Sequence, residues 1–201
     1  MVERNAMRLI LASSSPRRRD LLAEAGFAFD VMAPAIEEPA KLAGELSPAM
    51  RAEALAYFKA RCVLAGQPGA YVLGADTIGA VGPEVLGKPG DRAEAERMLR
   101  CLSGTRHVVI TGVALLGPNG YRRIAAESTF VTMRAMSDEE IAGYLDSGEW
   151  RGKAGAYAIQ ETADRFVDRI EGSFSNVVGL PMERVERMIA EIEALGEAQG
   201  A

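Results

Sequence analysis

Residues 9–27 read LILASSSPRRRDLLAEAGF. An apolar run stops at three serines. Ser15 is a candidate N-cap with Pro16 at the first helical position, and Leu21, Leu22 and Ala25 supply an apolar face until Gly26 ends the helix. Residues 8–13 thus read as a buried strand, and the stretch as strand, tight turn and helix, the building unit of an α/β sheet. The first turn of a helix is positive and favours Asp or Glu, yet this one holds Arg17, Arg18 and Arg19. One reading is a solvated helix face. The other is a phosphate cradle, in which turn N–H groups, Ser hydroxyls and guanidinium forks converge on an anion. Arg17 and Arg18 cannot both share a face with Arg19, so at least one of the three is expected to be solvated.

The same alternation continues down the chain. FDVMA, from Phe29, reads as a short strand, followed by a loop over PAIEEPAKLAGEL. A helix runs from Ser47-Pro48 to about Ala65, and AYVLGADT reads as a buried strand ending in Asp76-Thr77. IGAVGPEVLGKPG is a hairpin excursion turning at Gly82-Pro83. Asp91 and Glu94, then Ser137 and Glu140, form capping-box patterns for helices reaching Leu102 and Gly148. Between them lie two long antiparallel strands around GPNG. After an irregular EWRGKAGAYAIQ come short strands and a final helix from Pro181 to about Leu195. The expectation is one α/β domain over residues 1–201, with a mixed twisted sheet, flanking helices and two lobes around a central cleft.

Composition narrows the chemistry. The chain has 201 residues, a net charge of −5, 6% aromatics, two cysteines and one histidine. An acidic chain with no basic stripe argues against nucleic acid, and no apolar run is long enough for a membrane span. Cys62 and Cys101 read as packing positions in a cytoplasmic protein. A lone His107 excludes multi-His zinc sites and argues against a Ser-His hydrolase; it reads as a capping or pairing residue. GPEVLGKP, residues 82–89, narrowly misses the G-x-x-x-x-G-K-[ST] phosphate loop, because Pro89 stands where a hydroxyl should ligate magnesium. Lys88 can still reach a phosphate. Asp76 reads either as a turn cap or as a carboxylate at a ligand-binding strand end. Glu37 and Glu38 are solvated acids or, with Asp76, oxygen ligands for Mg²⁺. Lys59 alone reads as a surface lysine. Taken together, Arg17, Arg18, Lys59 and Lys88 with Glu38 and Asp76 suggest metal-assisted hydrolysis of a phosphoanhydride.

LILASSSPRRRDLL, VLGADT followed by GKP, GKAGAYAIQ and GSFSNVVGLP together resemble the Maf family of nucleoside triphosphate pyrophosphatases over about residues 8–192. The resemblance implies a fold similar to the inosine triphosphatase class, often dimeric. It also implies metal-dependent (Mg²⁺ or Mn²⁺) hydrolysis of a triphosphate to monophosphate and pyrophosphate. By motif, Asp76 matches the proton acceptor, and Ser13, Ser15, Arg17 and Arg18 match the first phosphate-binding block. Lys59 and Lys88 match the lysines of the second helix and of GKP, and Glu38 resembles the acid after the second strand. Thr77 and Gln160 look like the dTTP/UTP branch, with Arg17, Thr77 and Gln160 as selectivity residues. A glutamine amide offers a donor and an acceptor, which suits a pyrimidine O4–N3 edge. The chain departs from the pattern at Glu37, at Tyr57-Phe58, at Trp150 and at Gly152, so no role for an acid is carried to position 152. The competing readings are a nucleotide-binding regulator of cell division without turnover, and the 7-methyl-GTP branch.

Overall fold

The computed structural model describes residues 7–35, 46–160 and 162–199. Its strands are β1 (Leu9–Ala12), β2 (Phe29–Val31), β3 (Tyr71–Val81), β4 (Glu84–Leu86), β5 (Arg106–Leu116), β6 (Arg122–Met133) and β7 (Val167–Glu171). Its helices are α1 (Pro16–Glu24), α2 (Pro48–Leu64), α3 (Arg92–Leu102), α4 (Asp138–Ser147), α5 (Phe174–Val178) and α6 (Met182–Gln199). The strands form one seven-stranded sheet in the order β2-β1-β3-β5-β6-β7, with β4 folded back on β3. β1 lies parallel to β2 and β3, and every other pairing is antiparallel. This is the mixed α/β sheet with flanking helices that the sequence implied.

Two details differ from the sequence reading. AYVLGADT is the first part of a longer strand, because β3 runs on through Thr77 to Val81, so Asp76 is mid-strand. The segment after residue 166 holds one strand and the short helix α5 rather than several strands. The caps are as read: Ser47, Asp91 and Ser137 accept from Met50, Glu94 and Glu140 backbone N–H groups. At α3 the reciprocal bond shifts by one residue, since Glu94 accepts from Gly90 N.

Strand alternation sorts the core. Leu9, Leu11, Leu73, Val113 and Leu115 face α6, where Val185, Met188, Ile189 and Ile192 cover them. Ile10, Ala12, Val72 and Ala114 face α2 and its Ala56, Ala60 and Val63. A separate cluster joins α3, α4, Trp150, the 156–159 segment and Phe166. No helix among the described residues is long and apolar enough to cross a membrane.

α2 approaches the sheet so closely that side chains are excluded beneath it. A methyl group on Gly112 would collide with the Ala52 carbonyl and the Glu53 amide, and one on Gly74 with the Ala56 carbonyl and Ala60. Gly112 pairs in register with Asp76, so this contact sets the height of α2 above the site. Gly112→Ala is expected to destabilise the protein by about 3 kcal/mol or more, read by urea unfolding. Gly143→Ala, on α4 with open space around it, should stabilise by roughly 0.5–1 kcal/mol.

Candidate functional site

The cleft begins as an interruption in a ladder. Along one edge of β3, β1 pairs as far as Gly74 and β4 resumes at Gly79. Among the described residues, 75–78 have no strand on that edge. A cavity of about 650 Å³ opens there, lined by the 13–18 turn, β3, Lys59, Lys88, His107, the 151–160 segment and residues 177–179.

Asp76 and Thr77 are neighbours in sequence but point to opposite faces. Asp76 faces α2, where Lys59 Nζ lies 2.6 Å from its Oδ1. Both are buried, at 6% and 8% exposure, which reverses the surface reading of Lys59. A buried pair so close compensates charges that neither group could carry alone there. Thr77 faces the other way, into a hydrogen-bond network with Thr111 Oγ1 at 2.9 Å.

Arg17 and Arg18 are both half-buried and line the cleft, whereas Arg19 is exposed and pairs with Asp20. Arg18 is engaged by protein acceptors: Gly179 O at 2.8 Å, Ala75 O at 2.9 Å, Thr77 Oγ1 at 3.0 Å and Ser13 Oγ at 3.3 Å. It fills the interruption in the β3 edge, satisfying a carbonyl that a strand would otherwise take. Ser13 is buried, and its Oγ also accepts from Ser15 N. Ser15 makes no side-chain cap bond to α1, unlike the caps of α2, α3, α4 and α5. Lys88 and Gln160 are exposed on the cleft wall. Glu37 and Glu38 lie outside the described residues. Among those described, no three acids, histidines or cysteines cluster as a metal site, and Asp76 is the acid lining the cleft.

The sequence reading missed Lys153 and Arg151, which join Arg17, Arg18, Lys59 and Lys88 on the lining. Lys153 is buried. Its signal was a lysine alone among glycines and alanines in GKAGAYA, a stretch with no periodicity to place it. Gly155 N donates to Gly87 O at 3.0 Å, which brings this segment against the Lys88 loop. Ala156 is held at φ +62°, a conformation costing a non-glycine residue roughly 1–2 kcal/mol.

His107 anchors the same segment, its Nε2 lying 2.8 Å from Tyr157 Oη. It pairs, as its sequence position suggested. Burial pushes its pKa down to about 4, the Thr105 backbone offsetting only part of this. Burial also pushes the Tyr157 phenol up, so the two rings meet as neutral groups.

With a positively charged cleft in a mixed α/β sheet, the molecule is built to hold a polyanion. Residues 8–192 match the family described as Maf-like protein, and the chain belongs to that family. A dTTP/UTP pyrophosphatase of Symbiobacterium thermophilum is 50% identical over 183 residues, covering 91% of this chain and 93% of that protein. One of Koribacter versatilis is 51% identical over 183 residues with the same coverage. A solved nucleoside-triphosphatase / dITP/XTP pyrophosphatase from Mycobacterium abscessus aligns at TM-score 0.44 and 20% identity, over 63% of this chain and 73% of that one; so partial a likeness carries no inference.

Two outcomes follow from this geometry. Lys59→Met should cost about 3–5 kcal/mol by stranding a buried carboxylate, and adding Asp76→Asn should recover part of that loss in urea unfolding. For His107 the folded pKa lies below the unfolded value, so the unfolded state binds the proton first and stability falls as pH drops from about 6.5 towards 4. Between pH 7.5 and 4.5 the wild type should lose roughly 2–3 kcal/mol more than His107→Gln.

Proposed function

We propose that the protein hydrolyses dTTP and UTP to the nucleoside monophosphate and pyrophosphate. The observation that carries this is the buried Lys59–Asp76 pair in a cleft otherwise lined by cations. The relatives named above supply the base preference. Asp76 takes a proton from a water that attacks the α-phosphorus in line. A P–O bond forms to that water, and the bond from the α-phosphorus to the bridging oxygen breaks, releasing pyrophosphate. Lys59 holds the Asp76 carboxylate in place. Arg17, Ser15 and the N–H groups of the first turn of α1 bind phosphate oxygens, with Lys88 and Lys153 on the opposite wall neutralising the departing pyrophosphate. Gln160 reads the O4–N3 edge of a pyrimidine.

The donor set fits a divalent cation of the kind that keeps one or two carboxylates and takes its remaining ligands from phosphate and water. Asp76, with Glu38 beyond the described residues, would hold it. When bound, it supplies charge neutralisation on the phosphate oxygens.

The test is pyrophosphate release from dTTP, UTP, CTP and 7-methyl-GTP, with Mg²⁺, with Mn²⁺ and with chelator. dTTP and UTP should turn over fastest, and chelation should abolish release. Asp76→Asn should lower turnover by at least about a hundredfold while the chain still folds. Near-normal turnover in that variant removes Asp76 from the mechanism, and preference for 7-methyl-GTP overturns the base assignment.

A further inference from the structure

Thr77 and Arg18 are joined behind the cleft by a network of hydrogen bonds. Thr111 Oγ1 donates to Asn176 O at 3.1 Å. With that proton so placed, Thr77 Oγ1 has two acceptors for its own, Thr111 Oγ1 at 2.9 Å and Gly179 O at 3.4 Å. Arg18 Nη2 in turn donates to Thr77 Oγ1 at 3.0 Å. The chain runs from Arg18 through Thr77 and Thr111 to the backbone of α5. It closes on itself, because Arg18 Nε donates to Gly179 O, just beyond the end of α5, at 2.8 Å. Asn176 fixes the far side: its Nδ2 donates to Val109 O and to Thr129 Oγ1, each at 3.0 Å. Thr111 and Asn176 are fully buried and do not line the cavity.

We propose that Thr111 and Asn176 are positioning residues of the site, setting the Thr77 hydroxyl and, through it, the Arg18 guanidinium that fills the interruption in β3. Thr77 has protein acceptors for its hydroxyl proton in Thr111 Oγ1 and Gly179 O. Its influence on substrate choice is exerted through Arg18 and the turn that Arg18 anchors. Arg18 accordingly organises the phosphate cradle.

The kinetic part rests on the proposed pyrophosphatase activity; the structural part does not. In a cycle of Thr77→Val, Thr111→Val and the double variant, each single change should raise KM for dTTP about tenfold with a smaller change in kcat, and the double variant should be no worse than either single. Thr111→Ser, which keeps the hydroxyl, should recover most of the loss. Independent, multiplying losses, or an unchanged KM in folded Thr111→Val, would overturn the proposal. If the wild type hydrolyses no triphosphate, the functional reading fails, and a second measurement still decides this one. The Arg18 Nε–H proton, assigned by its loss in Arg18→Lys, should exchange with solvent slowly in the wild type and about tenfold faster in Thr111→Val. Equal exchange overturns the proposal. Should Thr111→Val fail to fold, Thr77→Val at its half-buried position carries the same exchange measurement.

Discussion

Between Gly74 and Gly79 one edge of β3 has no neighbouring strand among the described residues, and the organisation of the cleft follows from how that edge is completed. Backbone groups left unpaired inside a protein are costly, so a central strand with an open edge needs substitutes. Arg18 is one, donating to the Ala75 carbonyl from the first turn of α1. The arginine that the helix dipole disfavours at that position is therefore held by fixed carbonyl and hydroxyl acceptors. Opposition from the dipole amounts to roughly 0.3–1 kcal/mol, whereas hydrogen bonds from a charged donor contribute about 1.5–3 kcal/mol each. The local conflict in the sequence is resolved by contacts more than fifty residues away.

The open edge also lets one cavity reach both faces of the sheet. On the α2 face it meets Asp76 and Lys59; on the other it meets Thr77, Val109 and His107. The first pair depends on α2 lying almost on the backbone of β3 and β5, which only Gly74 and Gly112 permit. A side chain at either position would lift α2 and draw Lys59 away from the buried carboxylate it pairs with. Two glycines far from each other in sequence thus govern the electrostatics of the site.

Much of the architecture was legible because it rests on local rules. The strand–turn–helix of residues 9–27, the caps at Ser47 and Ser137 and the antiparallel pair around GPNG are stated by neighbouring residues. What failed was long-range. Asp76 read as a strand end because IGAVGPEVLGKPG after it reads as a separate hairpin excursion, but β5 pairs with β3 through residue 80 and keeps it one strand. Lys59 read as a surface residue because α2 carries apolar residues on several faces, and nothing local says which face meets Asp76. Arg17, Arg18, Lys59, Lys88, Glu38 and Asp76 stood out by residue type, whereas the selectivity roles of Thr77 and Gln160 came from the resemblance. Sequence could not divide Arg17 from Arg18, since that division depends on carbonyls contributed by β3 and by the segment after α5.

The remaining constraint is electrostatic. The chain is acidic overall, yet its cleft gathers six cations against Asp76 among the described lining residues. A low-dielectric cleft of one sign focuses field, so a triphosphate is drawn to the cleft and repelled by the outer surface. Concentrating positive charge this way carries a folding penalty that the scaffold must offset. Lys59 is offset by Asp76 and Arg18 by carbonyl dipoles. Lys153 is held by a segment bound to the rest of the fold through Gly155–Gly87 and Tyr157–His107. That segment bears Ala156 in a left-handed conformation, and strain of this kind persists only where surrounding contacts over-determine it. The wall carrying Lys153 is thus held by the fold itself, through bonds to the Lys88 loop and to β5.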